Sequence, residues 1–137
     1  MSHLDQTSQE EVIETFDLFD DWLEKYQYII DLGKKLPALD DIHKVDKNLL
    51  QGCQSRVWLV HEFKDNTLTF HANSDAAIVS GLVSLVLSIY SGHSPQTVIN
   101  TEPEFIEKIG LASHLSSTRS NGLNAMIAKI KQIAQQY

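Results

Sequence analysis

The chain contains one cysteine, Cys53, and the residues around it determine what its thiol can do. A polar stretch with a glycine, 51–55, precedes an apolar alternating run, which predicts that the thiol lies on a loop. A single cysteine can form neither an internal disulfide nor an all-cysteine metal site. Covalent chemistry at Cys53 therefore needs atoms from a partner molecule.

Local chemistry leaves two interpretations of Cys53 open. A lone cysteine is commonly a small buried hydrophobic residue. Against this, Gly52 allows a sharp turn, and the flanking Gln51 and Gln54 are polar. Arg56 could also stabilise a thiolate if its side chain turns back toward the thiol. A packed thiol and a reactive thiol are therefore equally compatible with these residues.

The other titratable residues form no recognisable site. The six histidines lack the spacing of metal ligands, so no metal site is predicted, and the sequence has no glycine-rich phosphate loop. His61 and His71 could face each other across a hairpin or point to opposite faces. The adjacent acids Asp20–Asp21 and Asp40–Asp41 are more typical of solvated caps than of a catalytic carboxylate pair.

Arg119 lies at the beginning of the last predicted helix. A cation there opposes the helix dipole, so Arg119 is not placed for helix stability. It is either an ordinary solvated arginine or a contact for an anion or a partner. Trp22 and Trp58 occupy helix and strand positions, where core packing is favoured over exposed recognition.

Length and charge restrict the class of protein. The 137 residues predict a single domain, 1–137, with a core that needs neither disulfides nor metal. The net charge of −7 argues against a nucleic-acid partner. The most apolar segment, 76–90, is too short for a membrane span, and the first residues lack the features of a signal peptide. One free thiol and no export signal fit a reducing compartment, so we expect a cytoplasmic protein with no membrane partner.

The hydrophobic pattern of the first half predicts helices followed by a hairpin. Apolar spacings of three and four over 12–30 predict helical structure with a bend at Asp20–Asp21 and a C-cap at Gly33. The mixed, largely polar sequence of residues 38–51 predicts a loop with one short edge strand. Alternation on both sides of Lys64-Asp65-Asn66 predicts an antiparallel hairpin.

The second half is predicted to be helical. Ser74 is the expected N-cap of an apolar central helix from Asp75 to about Tyr90. Ser94-Pro95 begins a short helix, and 101–104 has a capping-box pattern before a helix that ends at Gly110. An amphipathic helix follows over 117–135. This order predicts an α+β fold in which helices cover one face of a small antiparallel sheet.

Motifs in every segment from about residue 15 to residue 134 resemble the SufE family. They are WLEKY (22–26), YIIDLG (28–33), LP (36–37), QGCQS (51–55) with VW (57–58), SDAAIV (74–79) with GL (81–82), and HL (114–115) through RSNGL (119–123) with AM (125–126). Members of this family accept sulfur from cysteine desulfurases during iron–sulfur cluster assembly. A paralogous branch, the CsdE type, serves the other bacterial desulfurase and shares most of these motifs.

The resemblance implies a fold like that of the iron–sulfur scaffold proteins and a role for Cys53 as the sulfur acceptor. Cys53 would take a sulfane sulfur from a pyridoxal-phosphate-dependent desulfurase and pass it to a downstream scaffold complex. Gly52 would be the hinge of the loop, flanked by Gln51, Gln54 and Ser55. No cofactor of the chain's own is implied, because the partner's pyridoxal phosphate performs the carbon–sulfur cleavage.

The resemblance also implies that Asp75 and Arg119 support the loop or dock the partner. A scaffold role is argued against by the cysteine count, because a scaffold needs several thiolates. Two positions depart from the family: Arg56 replaces a common glutamine and Ser117 a common proline. A non-catalytic docking module remains the alternative function, and the oligomeric state is left open between a monomer and a homodimer.

Overall fold

The computed structural model describes residues 9–51 and 55–137. Its α-helices and strands are α1 (Gln9–Asp17), α2 (Trp22–Lys34), β1 (Val57–Lys64), β2 (Thr67–Ser74), α3 (Ala77–Tyr90), α4 (Pro95–Asn100), α5 (Glu104–Ile109), α6 (Leu111–His114) and α7 (Ser117–Ala134). The strands form one two-stranded antiparallel sheet, and the helices precede and follow it. The predicted α+β fold is therefore confirmed. None of the helices in the described ranges combines the length and hydropathy that a bilayer span requires.

A tight turn connects β1 to β2, and the two strands pair along their whole length. Asp65 and Asn66 have positive φ values of 53° and 59°, as a two-residue hairpin turn of type I′ requires. His61 lies opposite Phe70, whereas His71 lies opposite Val60. The two histidines are therefore one residue out of register and point to opposite faces of the sheet.

The core is centred on α3, which packs against the sheet, α2 and α7. Gly81 of α3 faces α2 so closely that a Cβ atom there would lie 2.0 Å from the carbonyl oxygen of Ile29. A Cβ atom at Gly33 would lie 2.7 Å from the backbone nitrogen of Gly81. The prediction that Gly33 is a C-cap is wrong, because α2 continues to Lys34 and Gly33 serves the close approach of the helices.

Several predicted helix ends are confirmed by their hydrogen bonds. The side chain of Asp21 accepts from the N–H of Glu24 and caps α2, which places the bend between α1 and α2 where the acids predict it. Ser94 caps α4, with Pro95 at its first position. The helix before Gly110 ends in a left-handed residue, since Gly110 has a φ of 90°. The side chain of Ser116 caps α7.

The predicted N-cap at Ser74 is wrong. Ser74 is the last residue of β2, paired with Val57, and α3 begins only at Ala77 with Ala76 at the N-cap. Strand pairing holds Ser74 extended, so its hydroxyl accepts from the N–H of Ala76 at 3.3 Å outside the helix. Asp75 therefore lies before α3 and is not in its first turn.

Two further local predictions are wrong. The hydroxyl of Thr101 donates to the carbonyl of Thr97, so it closes α4, and α5 begins after Pro103 without a side-chain cap. The 38–51 segment contains two short 3₁₀ turns, Asp41–His43 and Asp46–Asn48. In place of an edge strand it makes one isolated antiparallel bridge, between Leu49 and Trp58.

Candidate functional site

The site is described from the residues on either side of the cysteine. Gly52, Cys53 and Gln54 lie outside the described residues, so the predictions for these three positions stay predictions. The chain on both sides is fixed: the N–H of Leu50 donates to the carbonyl of Val57 at 2.9 Å. This bond and the adjacent bridge join the two ends of segment 51–56 at its base.

An apolar cavity of about 320 Å³ lies beside this base. Leu50, Ser55 and Val57 contribute one wall. The other lining residues among those the structure describes come from α3 (Val79, Leu82, Val83) and from the first turns of α7 with its cap (Ser116, Thr118, Arg119, Gly122, Leu123, Met126). The cavity therefore adjoins both ends of the segment that carries Cys53.

Arg119 is brought to this cavity by the cap of α7. The N–H of Arg119 donates to the Ser116 hydroxyl at 3.2 Å, which fixes the first turn of the helix. Its side chain is exposed and lines the cavity. Within residues 9–51 and 55–137, no carboxylate forms an ion pair with it. The structure thus places a cation beside the cavity and near Ser55.

Arg56 and Asp75 are brought together beside the same segment. The Arg56 Nε lies 3.4 Å from Asp75 Oδ2, and the Arg56 N–H donates to Asp75 Oδ1 at 3.2 Å. In return, the N–H of Asp75 donates to the Arg56 carbonyl at 3.4 Å. Because the two side chains are 69% and 46% exposed, the ion pair adds little stability, and its effect is to tie the chain after Ser55 to Asp75, which precedes the N-cap of α3.

The predicted site residues therefore fall into two groups around the segment. Ser55 and Arg119 line the cavity, whereas Arg56 and Asp75 form the pair on the chain that leaves the segment. Gln51 is exposed and lines a second recess, between the base and α7. Trp58 is buried, with 9% exposure, which confirms the prediction of core packing.

Sequence reasoning missed the cavity itself. The buried faces predicted for two helices are correct for Leu82 and Leu123, which are buried, and Val79 is partly buried, but this does not show that a space remains between them. The only sequence signal is indirect: small and polar residues, including Ser116 and Gly122, interrupt the buried face at the start of α7. Within the described ranges, no group of three or more His, Cys, Asp and Glu residues could hold a metal ion.

Comparison with known proteins agrees with this architecture and with the motifs. An uncharacterized SufE-like protein of Rhizobium meliloti (strain 1021) is 42% identical over 134 residues, covering 94% of this chain and 96% of the relative. A second, from Rhizobium etli, is 41% identical over 133 residues, covering 93% and 90%.

The fold has a solved counterpart in the solution structure of a hypothetical protein from Thermus thermophilus. The two share a TM-score of 0.77 at 18% identity, with 93% of each chain covered, so the likeness establishes the fold alone. The SufE family, described as an Fe–S metabolism associated domain, matches residues 10–134. With nearly the whole chain matched and two relatives above 40% identity, the protein belongs to the SufE family and has a role in Fe–S metabolism.

Proposed function

We propose that this protein is the sulfur acceptor and activator of a pyridoxal-phosphate-dependent cysteine desulfurase. Cys53 carries the sulfur as a persulfide and passes it to a downstream scaffold complex in the cytoplasm. One observation carries the proposal: the segment that contains the only cysteine begins and ends at an apolar cavity with an arginine beside it. Family membership supports the same partner class.

The proposed transfer is a thiol–disulfide type of exchange. The Cys53 thiolate attacks the terminal sulfur of the desulfurase's cysteine persulfide, and the bond between the two partner sulfurs breaks. The terminal sulfur, with its proton, becomes the outer atom of a Cys53 persulfide, and the desulfurase cysteine leaves as a thiolate. No external oxidant or reductant is needed, because one sulfur–sulfur bond replaces another.

The surroundings suit such a relay. A persulfide must reach a recessed partner site and must be protected from small thiols and oxidants between encounters. The hydrogen bond between Leu50 and Val57 fixes the base of the segment, and the adjoining cavity is large enough to receive a small side chain. Arg119 supplies a positive charge next to it, which favours an anionic sulfur over a neutral thiol.

Replacing the nucleophile tests the proposal. We expect Cys53→Ser to keep the fold, since serine differs from cysteine by a single side-chain atom, and to abolish stimulation of the desulfurase. Ser88→Ala is the matched control, because it also changes a single side-chain atom but lies on α3 away from the cavity, where its hydroxyl donates to the Leu85 carbonyl. Full stimulation by Cys53→Ser would favour the alternative, a non-catalytic docking module.

A further inference from the structure

A cluster of three aromatic side chains joins the start of α2 to the end of α6. The ring of Trp22 stacks on the imidazole of His114, with centroids 3.9 Å apart and planes 15° from parallel. Tyr26, one turn further along α2, packs edge-on against Trp22 at 5.8 Å, and its hydroxyl donates to the His114 carbonyl. We refer to Trp22, Tyr26 and His114 as the aromatic clamp.

The clamp holds His114 in more than one way. The backbone of His114 is fixed by Tyr26, and its ring is fixed by Trp22 and by a contact of 3.1 Å between Nδ1 and the Gly110 carbonyl. Trp22 also covers Gly110, where a Cβ atom would lie 3.6 Å from its Cζ2. His114 is itself exposed, so these contacts are not explained by burial of its side chain in the core.

A single residue, Leu115, separates the clamp from the cavity wall. Leu115 is buried, and Ser116 then caps α7 and lines the cavity together with Arg119 and Leu123. Because Leu115 is the only residue between His114 and the cap, and its backbone is extended, a shift of His114 should move Ser116 as well.

We propose that the aromatic clamp is a positioning element that sets the start of α7 and thereby the position of the cavity wall beside the Cys53 segment. The proposal rests on the proposed function, in which the sulfur on Cys53 must be protected between encounters, for the role of that cavity. His114 is a positioning residue in this account, since it acts on the site through Ser116 and Arg119 and contacts neither partner nor sulfur.

Alkylation of Cys53 by iodoacetamide in the full-length protein tests the proposal without a desulfurase. The reaction is specific because the chain has one thiol. We expect His114→Ala to raise the alkylation rate constant about three- to tenfold, the factor that corresponds to loss of one aromatic contact. His114→Phe, which keeps a ring on Trp22, should restore most of the protection, and Tyr26→Phe should give a smaller increase than His114→Ala.

Tyr90→Phe is the matched control. It also removes a bond from a tyrosine hydroxyl to a backbone carbonyl, that of Thr101, but neither residue lines the cavity. We expect it to destabilise the fold while leaving the alkylation rate at the wild-type value. An equal increase in Tyr90→Phe would mean general loosening and would overturn the proposal.

Two other outcomes also overturn it, and they are distinguishable from failure of sulfur acceptance. If His114→Ala alkylates at the wild-type rate, the clamp does not position the cavity wall. If wild-type Cys53 already reacts as fast as in the urea-unfolded chain, there is no shelter for the clamp to maintain. Neither result bears on whether Cys53 accepts sulfur, which the stimulation assay with Cys53→Ser measures separately.

Discussion

The two faces of α3 are packed in opposite ways. On the face toward α2, Gly81 meets the backbone of Ile29 so closely that no methyl group would fit. On the face toward α7 and the Cys53 segment, Val79, Leu82 and Val83 leave a cavity of about 320 Å³. Protein interiors are normally packed without such spaces. A cavity on one face of a helix whose other face is closely packed is therefore better explained by function than by poor packing. The comparison indicates that stability is concentrated at the α2 face and that the other face is left open for the site.

The largest expected loss of stability is at the closely packed face of α3, the one toward α2. Gly81→Ala should destabilise the fold by more than about 4 kcal/mol, because the added Cβ would lie 2.0 Å from the Ile29 carbonyl oxygen and must drive α2 and α3 apart. Alanine has the better helix propensity, so the measured loss is a lower bound on the cost of the clash. Urea unfolding followed by circular dichroism gives the value. A loss below about 1 kcal/mol would show that the helices are not in close contact.

A pair of truncations compares the two faces directly. Ile29→Ala should cost about 3 to 4 kcal/mol, because Ile29 is fully buried against α3 and its removal creates a new void. Leu82→Ala should cost about 2 kcal/mol, because part of the Leu82 side chain already borders a space. The two unfolding free energies, measured side by side, check the difference. Equal costs would mean that the cavity is filled in solution.

Filling the cavity should lower desulfurase stimulation without lowering the free energy of unfolding. Val83→Ile adds one methylene group on the cavity side, and we expect the free energy of unfolding to stay within about 1 kcal/mol of wild type or to rise. Stimulation of the desulfurase should fall, because less space remains beside the Cys53 segment. Val86→Ile is the control, since Val86 is fully buried on the same helix but does not line the cavity. Unchanged stimulation by Val83→Ile would argue that the space has no role.

The smallest expected effect is on the pH dependence of stability, and it comes from His93, just beyond the end of α3. Burial lowers the pKa of His93 from its ordinary value of 6.5, so near that pH the unfolded chain takes up a proton that the folded chain does not. Stability should therefore fall as the pH drops through 6.5 and level off below the folded-state pKa of His93. His93→Gln should flatten this part of the profile of unfolding free energy against pH. An unchanged slope in that variant would assign the dependence to another group.

Local patterns were sufficient for most of the fold. Periodicity predicts the helices and the hairpin because each is determined by neighbours along the chain, and the caps at Asp21 and Ser94 follow from side chains that bond within one turn. Predictions at Gly33 and Ser74 are wrong for a shared reason. In each case a tertiary contact, with Gly81 or with Val57, overrides the local preference.

The site was predictable only in part. The motifs single out Arg119 and Asp75, and the structure places each beside the Cys53 segment. The pairing of Arg56 with Asp75 and the cavity itself depend on segments far apart in sequence. The same holds for the aromatic clamp, since Trp22 is predicted as a core residue and its stacking on His114 has no local signal.

The central claim is that Cys53 receives a sulfur atom, and intact mass spectrometry tests it most directly. After incubation with a pyridoxal-phosphate-dependent cysteine desulfurase and free cysteine, the account predicts a mass gain of one sulfur atom. The gain should be lost on reduction and absent from Cys53→Ser, which has no other thiol to accept the sulfur. An unchanged mass under conditions in which the desulfurase is still stimulated would contradict the account.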